Sequence, residues 1–292
     1  MNEEVSIKQI RSSLTDKFIR YTTSISPKLF RPSSLPYISG DTFRKNAKFI
    51  FDETQSFDPA DVKKNDTIFL KTDLRELYFK TTHQKINTEY ILITHNSDEA
   101  IENKDIDFAD EKIIKWYAQN LSFLSNDKFF PLPIGFENRR YLKNGRLKNL
   151  NLVKNQFSIK RNRILSSFND ETNFILRNNL KTLIETIPSV DEKMFSTPSD
   201  YLKNLREYKF VLCPEGNGLD THRIWEGILT KTIPIVKKSS FSNNFYNLGL
   251  PLLLIEDWSD LNGFDENKIS KLYENFKDHE YYKYLNYDFW IS

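Results

Sequence analysis

Short apolar runs alternate with amphipathic stretches along most of the chain, and this pattern predicts its elements. In the first half each run ends in polar or turn residues, which is typical of strands buried on both faces of a parallel sheet. The run 129–134 holds two prolines, so we expect an edge strand there. We predict strands at 47–51, 67–71, 89–94 and 129–134, with helices near 74–80 and 111–121, after a short polar helix and a Ser/Pro-rich loop within 1–45.

A second alternation of strands and helices follows a polar, basic stretch at 141–157, which we interpret as an interdomain connection. Strands separated by helices indicate an α/β fold, here two Rossmann-like domains that face a cleft. The domains would span residues 1–145 and 146–275, with 276–292 as a C-terminal helix packing back on the first. The predicted strands are 163–168, 209–213, 233–236 and 252–255, and the helices 171–186, 199–207 and 221–230, with more helices to the end.

Composition narrows the class of protein. The 292 residues fit two domains of about 150 residues each, and a hydrophobic share of 39% supplies their cores. A net charge of +2 argues against a nucleic-acid-binding field. The single cysteine, Cys213, leaves no intramolecular disulfide and no cysteine-based zinc site. No signal-peptide pattern or long apolar run is present, so we expect a cytoplasmic protein with at most peripheral membrane contact.

The segment 209–236 carries the strongest chemical signal. A predicted strand enters a loop that holds Gly216 and Gly218, where glycine allows a close backbone approach. A helix then begins near Asp220 or Thr221, either of which is a good N-cap. Its N-terminus would offer free N–H groups and a positive dipole end, which suit an anion.

The helix after this loop has two distinct faces. One face is apolar, and the other presents His222, Arg223 and Glu226. Arg223 suits a pyrophosphate, and Glu226 suits the vicinal hydroxyls of a ribose. An ordinary solvated pair of His222 and Glu226, one turn apart, explains the spacing equally well.

This segment resembles the donor-site signature of exostosin-like, family 47-type glycosyltransferases. The resemblance rests on CPEG at 213–216, RIWE at 223–226 and IPIV at 233–236, and fucosyltransferase-like families share part of it. It implies a GT-B fold, metal-independent transfer without a cofactor, and usually inversion at the anomeric carbon. The donor would be a UDP- or GDP-sugar, and the acceptor a hydroxyl of a glycan or a lipid-linked glycan. The donor-binding residues that we assign are Arg223, Glu226, Gly216, Asn217, Gly218, Asp220, Thr221, His222, Glu215 and Arg163.

Candidate catalytic and acceptor-binding residues follow strands of the first half. His95 and Asp98 come directly after the third strand, and either could take the proton of an acceptor hydroxyl. Glu137 and Asn138 follow the fourth strand and could bind sugar hydroxyls. A loop cap at 96–98 and a turn at 135–138 are the plainer alternatives.

Other interpretations stay open at this point. Asp105 and Asp107 have the spacing of a metal-binding carboxylate pair, but they lie in an acidic loop, and we expect no metal site. A non-catalytic nucleotide- or glycan-binding module of the same fold is one alternative function. Another GT-B-like transferase, such as a pyruvyltransferase or phosphosugar transferase, is a second.

Overall fold

Five parallel strands form a sheet in the first half of the chain. The computed structural model describes residues 31–154 and 156–291; the predicted N-terminal polar helix lies outside this range. The sheet has the order β1-β2-β3-β4-β5, so it runs in one direction without a reversal. Its elements are α1 (Gly40–Asn46), β1 (Phe49–Phe51), β2 (Asp66–Lys71), α2 (Arg75–Thr81), β3 (Tyr90–His95), β4 (Ile113–Gln119) and β5 (Phe129–Leu132).

The predicted helix at 111–121 is wrong, because these residues form the inner strand β4. Trp116 packs in one core cluster and its neighbour Tyr117 in the other. Adjacent residues that face opposite sides fit the two-residue period of a strand. When both faces are buried, the apolar run loses its alternation and can be mistaken for a helix. The edge position predicted for the proline-containing strand is confirmed by β5.

A second parallel sheet occupies the other half, with the order β10-β9-β8-β6-β7. The strand order reverses between β6 and β8, which is the switch point where open α/β sheets bind ligands. The predicted α/β class is therefore confirmed, with two parallel sheets. The elements are α3 (Leu147–Lys154), β6 (Arg161–Ser166), α4 (Phe174–Ile184), β7 (Val190–Glu192), α5 (Pro198–Leu205), β8 (Tyr208–Leu212), α6 (His222–Leu229), β9 (Ile233–Lys237), α7 (Ser240–Asn247), β10 (Leu253–Ile255) and α8 (Glu266–Glu274).

Two parts of the second half differ from the sequence prediction. The stretch 141–157 contains α3, which buries Leu150 and Val153, instead of being an open connection throughout. The short strand β7 was not predicted, because VDE offers only one apolar residue to the pattern.

The C-terminal segment crosses back to the first half. It consists of two 3₁₀ turns, Tyr282–Leu285 and Tyr287–Phe289, where a helix was expected. Backbone bonds of 3.1 Å join it to the segment before α1, from Ile38 N to Leu285 O and from Tyr287 N to Pro36 O. One core cluster consequently includes residues of both halves.

No helix among the described residues is both long enough and apolar enough to cross a bilayer.

Candidate functional site

The carboxyl ends of the two sheets meet around Asp220, at the start of α6. Its backbone N–H donates to Asn120 Oδ1 after β4 at 2.9 Å. Its Oδ2 accepts from Ile134 N after β5 at 2.7 Å. The loops that follow strands of both sheets therefore line a common groove.

The Asp220 carboxylate is fully engaged in this junction. Its remaining bonds come from Thr221 N at 2.7 Å and from the Trp225 indole at 3.1 Å. Burial raises the pKa of Asp220 to about 7, against the effect of these N–H donors. The assignment of Asp220 to donor binding is wrong, since both oxygens are already used by the protein.

One cavity lies at the switch point of the second sheet, and we call it the switch-point cavity. It has a volume of about 360 Å³. Ser167 follows β6 directly, and α6 begins beside it, which places the cavity outside the carboxyl ends of the strands. Its lining includes Glu137, Ser167, Tyr201, Thr221, Arg223 and Glu226.

Arg223 is fixed in position at the edge of this cavity. Its Nε donates to Ser167 O at 2.7 Å, and its Nη1 donates to Thr221 Oγ1 at 3.1 Å. Thr221 is the N-cap of α6 and also accepts from Arg223 N. Within residues 31–154 and 156–291, Nη2 makes no hydrogen bond, so this edge of the guanidinium remains open to an anion.

Glu226 and Tyr201 present unpaired polar atoms to the same cavity. The half-buried Glu226 carboxylate makes no hydrogen bond to the described part of the chain, and burial raises its pKa, against the nearby His222 and Arg223. The Tyr201 hydroxyl is buried and has no hydrogen-bond partner in the same range. Because an unmade buried hydrogen bond is costly, these atoms are suited to a polar ligand.

A second cavity of about 410 Å³ lies over the carboxyl ends of the first sheet, and we call it the Asn96 cavity. Glu137 and His222 line this cavity and the switch-point cavity as well. They therefore stand where the two cavities meet. The lining of the Asn96 cavity includes Asp73, Asn96, Asp98, Glu99, Glu137 and His222.

His222 and Glu137 face each other at this meeting point. His222 Nδ1 lies 2.7 Å from Gly135 O, and its Nε2 lies 3.7 Å from Glu137 Oε2. The other oxygen of Glu137 accepts from Asn138 N at 2.9 Å.

His95 is not available to a substrate, so its assignment as catalytic base is wrong. The residue is 1% exposed. Its Nδ1 accepts from Asn96 N at 2.7 Å, and its Nε2 donates to Pro133 O at 3.0 Å. Burial lowers its pKa to about 4, which keeps the ring neutral. The His95 ring therefore links the backbone at the end of β3 to the backbone after β5.

Asp98 is exposed and lines the Asn96 cavity. Its Oδ2 accepts from Asn217 Nδ2 at 3.3 Å, a contact that joins the loops after β3 and β8. Asn217 is thereby turned toward the first half and does not line the switch-point cavity.

The glycine loop after β8 supports packing, and the cradle expected there is not formed. A Cβ on Gly218 would lie 2.7 Å from Asn120 Nδ2 and 3.1 Å from Asp98 O. A Cβ on Gly216 would lie 3.0 Å from Arg177 Nη2. Gly216, Gly218 and Glu215 do not line the switch-point cavity, and Glu215 borders a separate cavity of about 200 Å³. Their assignment to donor binding is corrected accordingly.

Arg163 also lies away from the site. It is near the amino end of β6 and pairs with Asp191, with Nε 3.1 Å from Oδ1. The arginine at the carboxyl end is Arg177, which sequence reasoning missed. It donates to Glu215 O at 2.9 Å and to Pro214 O at 3.2 Å, so it holds the glycine loop in place.

Asn138 has a positioning role. It is 8% exposed, accepts from Asp41 N at 2.7 Å and donates to Asn96 Oδ1 at 3.0 Å. Both ends of its amide are used, so its assignment to acceptor binding is corrected, whereas Glu137 still faces the cavities.

In the carboxylate pair Asp105–Asp107, Asp105 already has a partner within the protein. Asp105 is buried and accepts from Arg75 Nε at 2.9 Å. Among the residues described, no group of three His, Cys, Asp or Glu side chains could hold a metal ion.

Comparison with known proteins gives no indication of what the site binds. No family model matches the chain, and no curated protein is significantly similar to it.

Proposed function

We propose that the protein is a glycosyltransferase with a GT-B-type arrangement. In this proposal the switch-point cavity binds a UDP- or GDP-sugar, and the Asn96 cavity admits a hydroxyl of a glycan or lipid-linked glycan. The observation that supports it is that Arg223 and Glu226 line the same cavity at a switch point. The Glu226 carboxylate makes no hydrogen bond to the described residues. Of the stretch that carries the sequence resemblance, Arg223 and Glu226 line this cavity, whereas Glu215 and Gly216 do not.

The donor would be held by three kinds of contact. The open edge of Arg223 and the N-terminus of α6 would bind the diphosphate. Glu226 would accept from the two ribose hydroxyls, and the Tyr201 hydroxyl would pair with another polar atom of the donor. A volume of about 360 Å³ lies within the range of small-molecule sites.

The reaction would be transfer with inversion, without a metal or a cofactor. Positive charge from Arg223 would stabilise the leaving diphosphate as the glycosidic bond breaks. Glu137 and His222 line both cavities, so a donor in one and an acceptor in the other would meet there. A cytoplasmic location would give access to nucleotide-sugars.

Calorimetric titration of UDP and GDP tests the donor site. Replacing Glu226 by Ala should weaken the binding of whichever nucleotide binds better about 10- to 100-fold, because a hydrogen bond to a charged group contributes roughly 1.5–3 kcal/mol. Glu266→Ala, on the exposed start of α8, is the matched control and should bind like the wild type. Unchanged binding by Glu226→Ala would remove the ribose assignment.

Turnover separates the proposal from its rivals. Release of nucleoside diphosphate from a panel of UDP- and GDP-sugars should be detectable and should survive chelation by EDTA. Nucleotide binding without release would indicate a binding module, and complete loss with EDTA would show that a divalent ion takes part.

A further inference from the structure

His222 is held in a defined protonation pattern by a backbone carbonyl. Its Nδ1 lies 2.7 Å from Gly135 O. A carbonyl oxygen only accepts hydrogen bonds, so Nδ1 must carry the proton. In the neutral ring Nε2 then carries a lone pair, the form that a general base requires.

Glycine is needed where this carbonyl is placed. Gly135 has φ +68°, and a Cβ there would lie 2.6 Å from Ile38 O. The first half therefore fixes the carbonyl, while α6 in the second half carries the imidazole. The orientation of His222 depends on both halves being together.

Nε2 stands where the two cavities meet. The His222 side chain is 33% exposed, and Glu137 Oε2 lies 3.7 Å from Nε2, which is beyond hydrogen-bond distance. The described part of the chain thus leaves the lone pair open to a group entering either cavity.

We infer that His222 is the general base of the transfer, an inference that rests on the proposed function. Nε2 takes the proton of the acceptor hydroxyl as its oxygen bonds to the anomeric carbon. The bond from that carbon to the diphosphate breaks, and the nucleoside diphosphate leaves with the electron pair.

The charges around the ring favour this step. Glu137 faces Nε2 from the segment after β5. Asp220 and Glu226 lie within electrostatic reach on or beside α6, as does His95 at the end of β3. Arg223 borders the same cavity and opposes them. The Glu137 carboxylate, 3.7 Å from Nε2, stabilises the imidazolium that proton transfer creates, and it lines both cavities beside the ring.

A substitution that keeps the Gly135 bond isolates the role of Nε2. In His222→Asn the amide can donate to Gly135 O, but no group replaces Nε2. Turnover is measured as nucleoside-diphosphate release from the UDP- or GDP-sugar that binds best, with water as acceptor. Loss of a general base should lower kcat by a factor of about 10² or more, while the Kd for UDP or GDP changes less than about twofold.

The pH profile and chemical rescue supply readouts that a structural role would not move. The wild-type rate should rise with pH and then level off, and His222→Asn should lose this rise. Added imidazole should restore part of the rate of His222→Ala. His279→Asn, at an exposed position, is the matched control.

Each outcome has a distinct meaning. If wild-type protein binds no nucleotide, the proposed function fails, and the inference fails with it. If it binds and turns over but His222→Asn keeps its kcat and its pH profile, only the base assignment is overturned. A wild-type rate that falls as the pH rises would make His222 a proton donor to the diphosphate, which also overturns it.

Discussion

Replacing Asp220 by Ala should destabilise the protein more than its single carboxylate suggests. The carboxylate accepts from the backbone N–H groups of Ile134 and Thr221 and from the indole of Trp225. It is 5% exposed, so three donors, two of them in fully buried bonds, would lose their partner. Each such loss costs about 1–3 kcal/mol. Partial rearrangement keeps the sum near the lower end, and we expect a loss of about 3–5 kcal/mol in the free energy of unfolding.

Urea denaturation at about pH 8, followed by circular dichroism and tryptophan fluorescence, measures this loss. Asp265→Ala is the matched control, because Asp265 is an exposed N-cap that accepts from Lys268 N. Loss of an N-cap there should cost only about 1 kcal/mol. If the Asp220 variant loses no more than the Asp265 variant, Asp220 does not join the two sheets energetically, and the reasoning is refuted.

Two further predictions concern the same junction. Burial raises the pKa of Asp220 to about 7, above the ordinary aspartate value of about 3.9. The stability that its protonated form contributes is present below about pH 4 and is lost as the pH rises to about 7. The free energy of unfolding of the wild type should therefore fall relative to Asp220→Asn between about pH 4 and about pH 7, and a constant difference in urea titrations would contradict this. Gly218→Ala should lower the melting temperature more than Gly216→Ala, because its Cβ would lie 2.7 Å from Asn120 Nδ2 and 3.1 Å from Asp98 O, whereas the Cβ at position 216 would closely approach only the Arg177 guanidinium, at 3.0 Å. Equal melting temperatures would show that the loop relaxes at no cost.

Most of the fold can be read from the apolar runs. Strands such as β2 and β3 are short, apolar and ended by polar residues, so their type and position were predictable. β4 was not, because burial on both faces removes the alternation that distinguishes a strand from a helix. β7 carries too few apolar residues to produce a pattern. Because β7 lies on the other side of β6 from β8, the switch point between β6 and β8 could not be predicted without it.

The sequence predicted those site residues whose position depends only on the 3.6-residue period of one helix. Arg223 and Glu226 face the same side of α6, and both line the switch-point cavity. His95 and Asp220 looked equally suitable, but their hydrogen bonds depend on loops from other strands, which no local pattern reveals. Tyr201 was missed although its helix was predicted, because the burial of its unpaired hydroxyl depends on packing between elements.

The bridge between Tyr37 and Asn286 has a consequence for biosynthesis. Phe43, whose ring lies 5.6 Å from that of Tyr287, leaves the ribosome long before its partner is translated. The first half therefore leaves the ribosome with part of its apolar surface uncovered. That surface is covered only after the residues near 286 have been translated. Contacts so distant along the chain slow folding, and apolar surface left uncovered until they form favours aggregation.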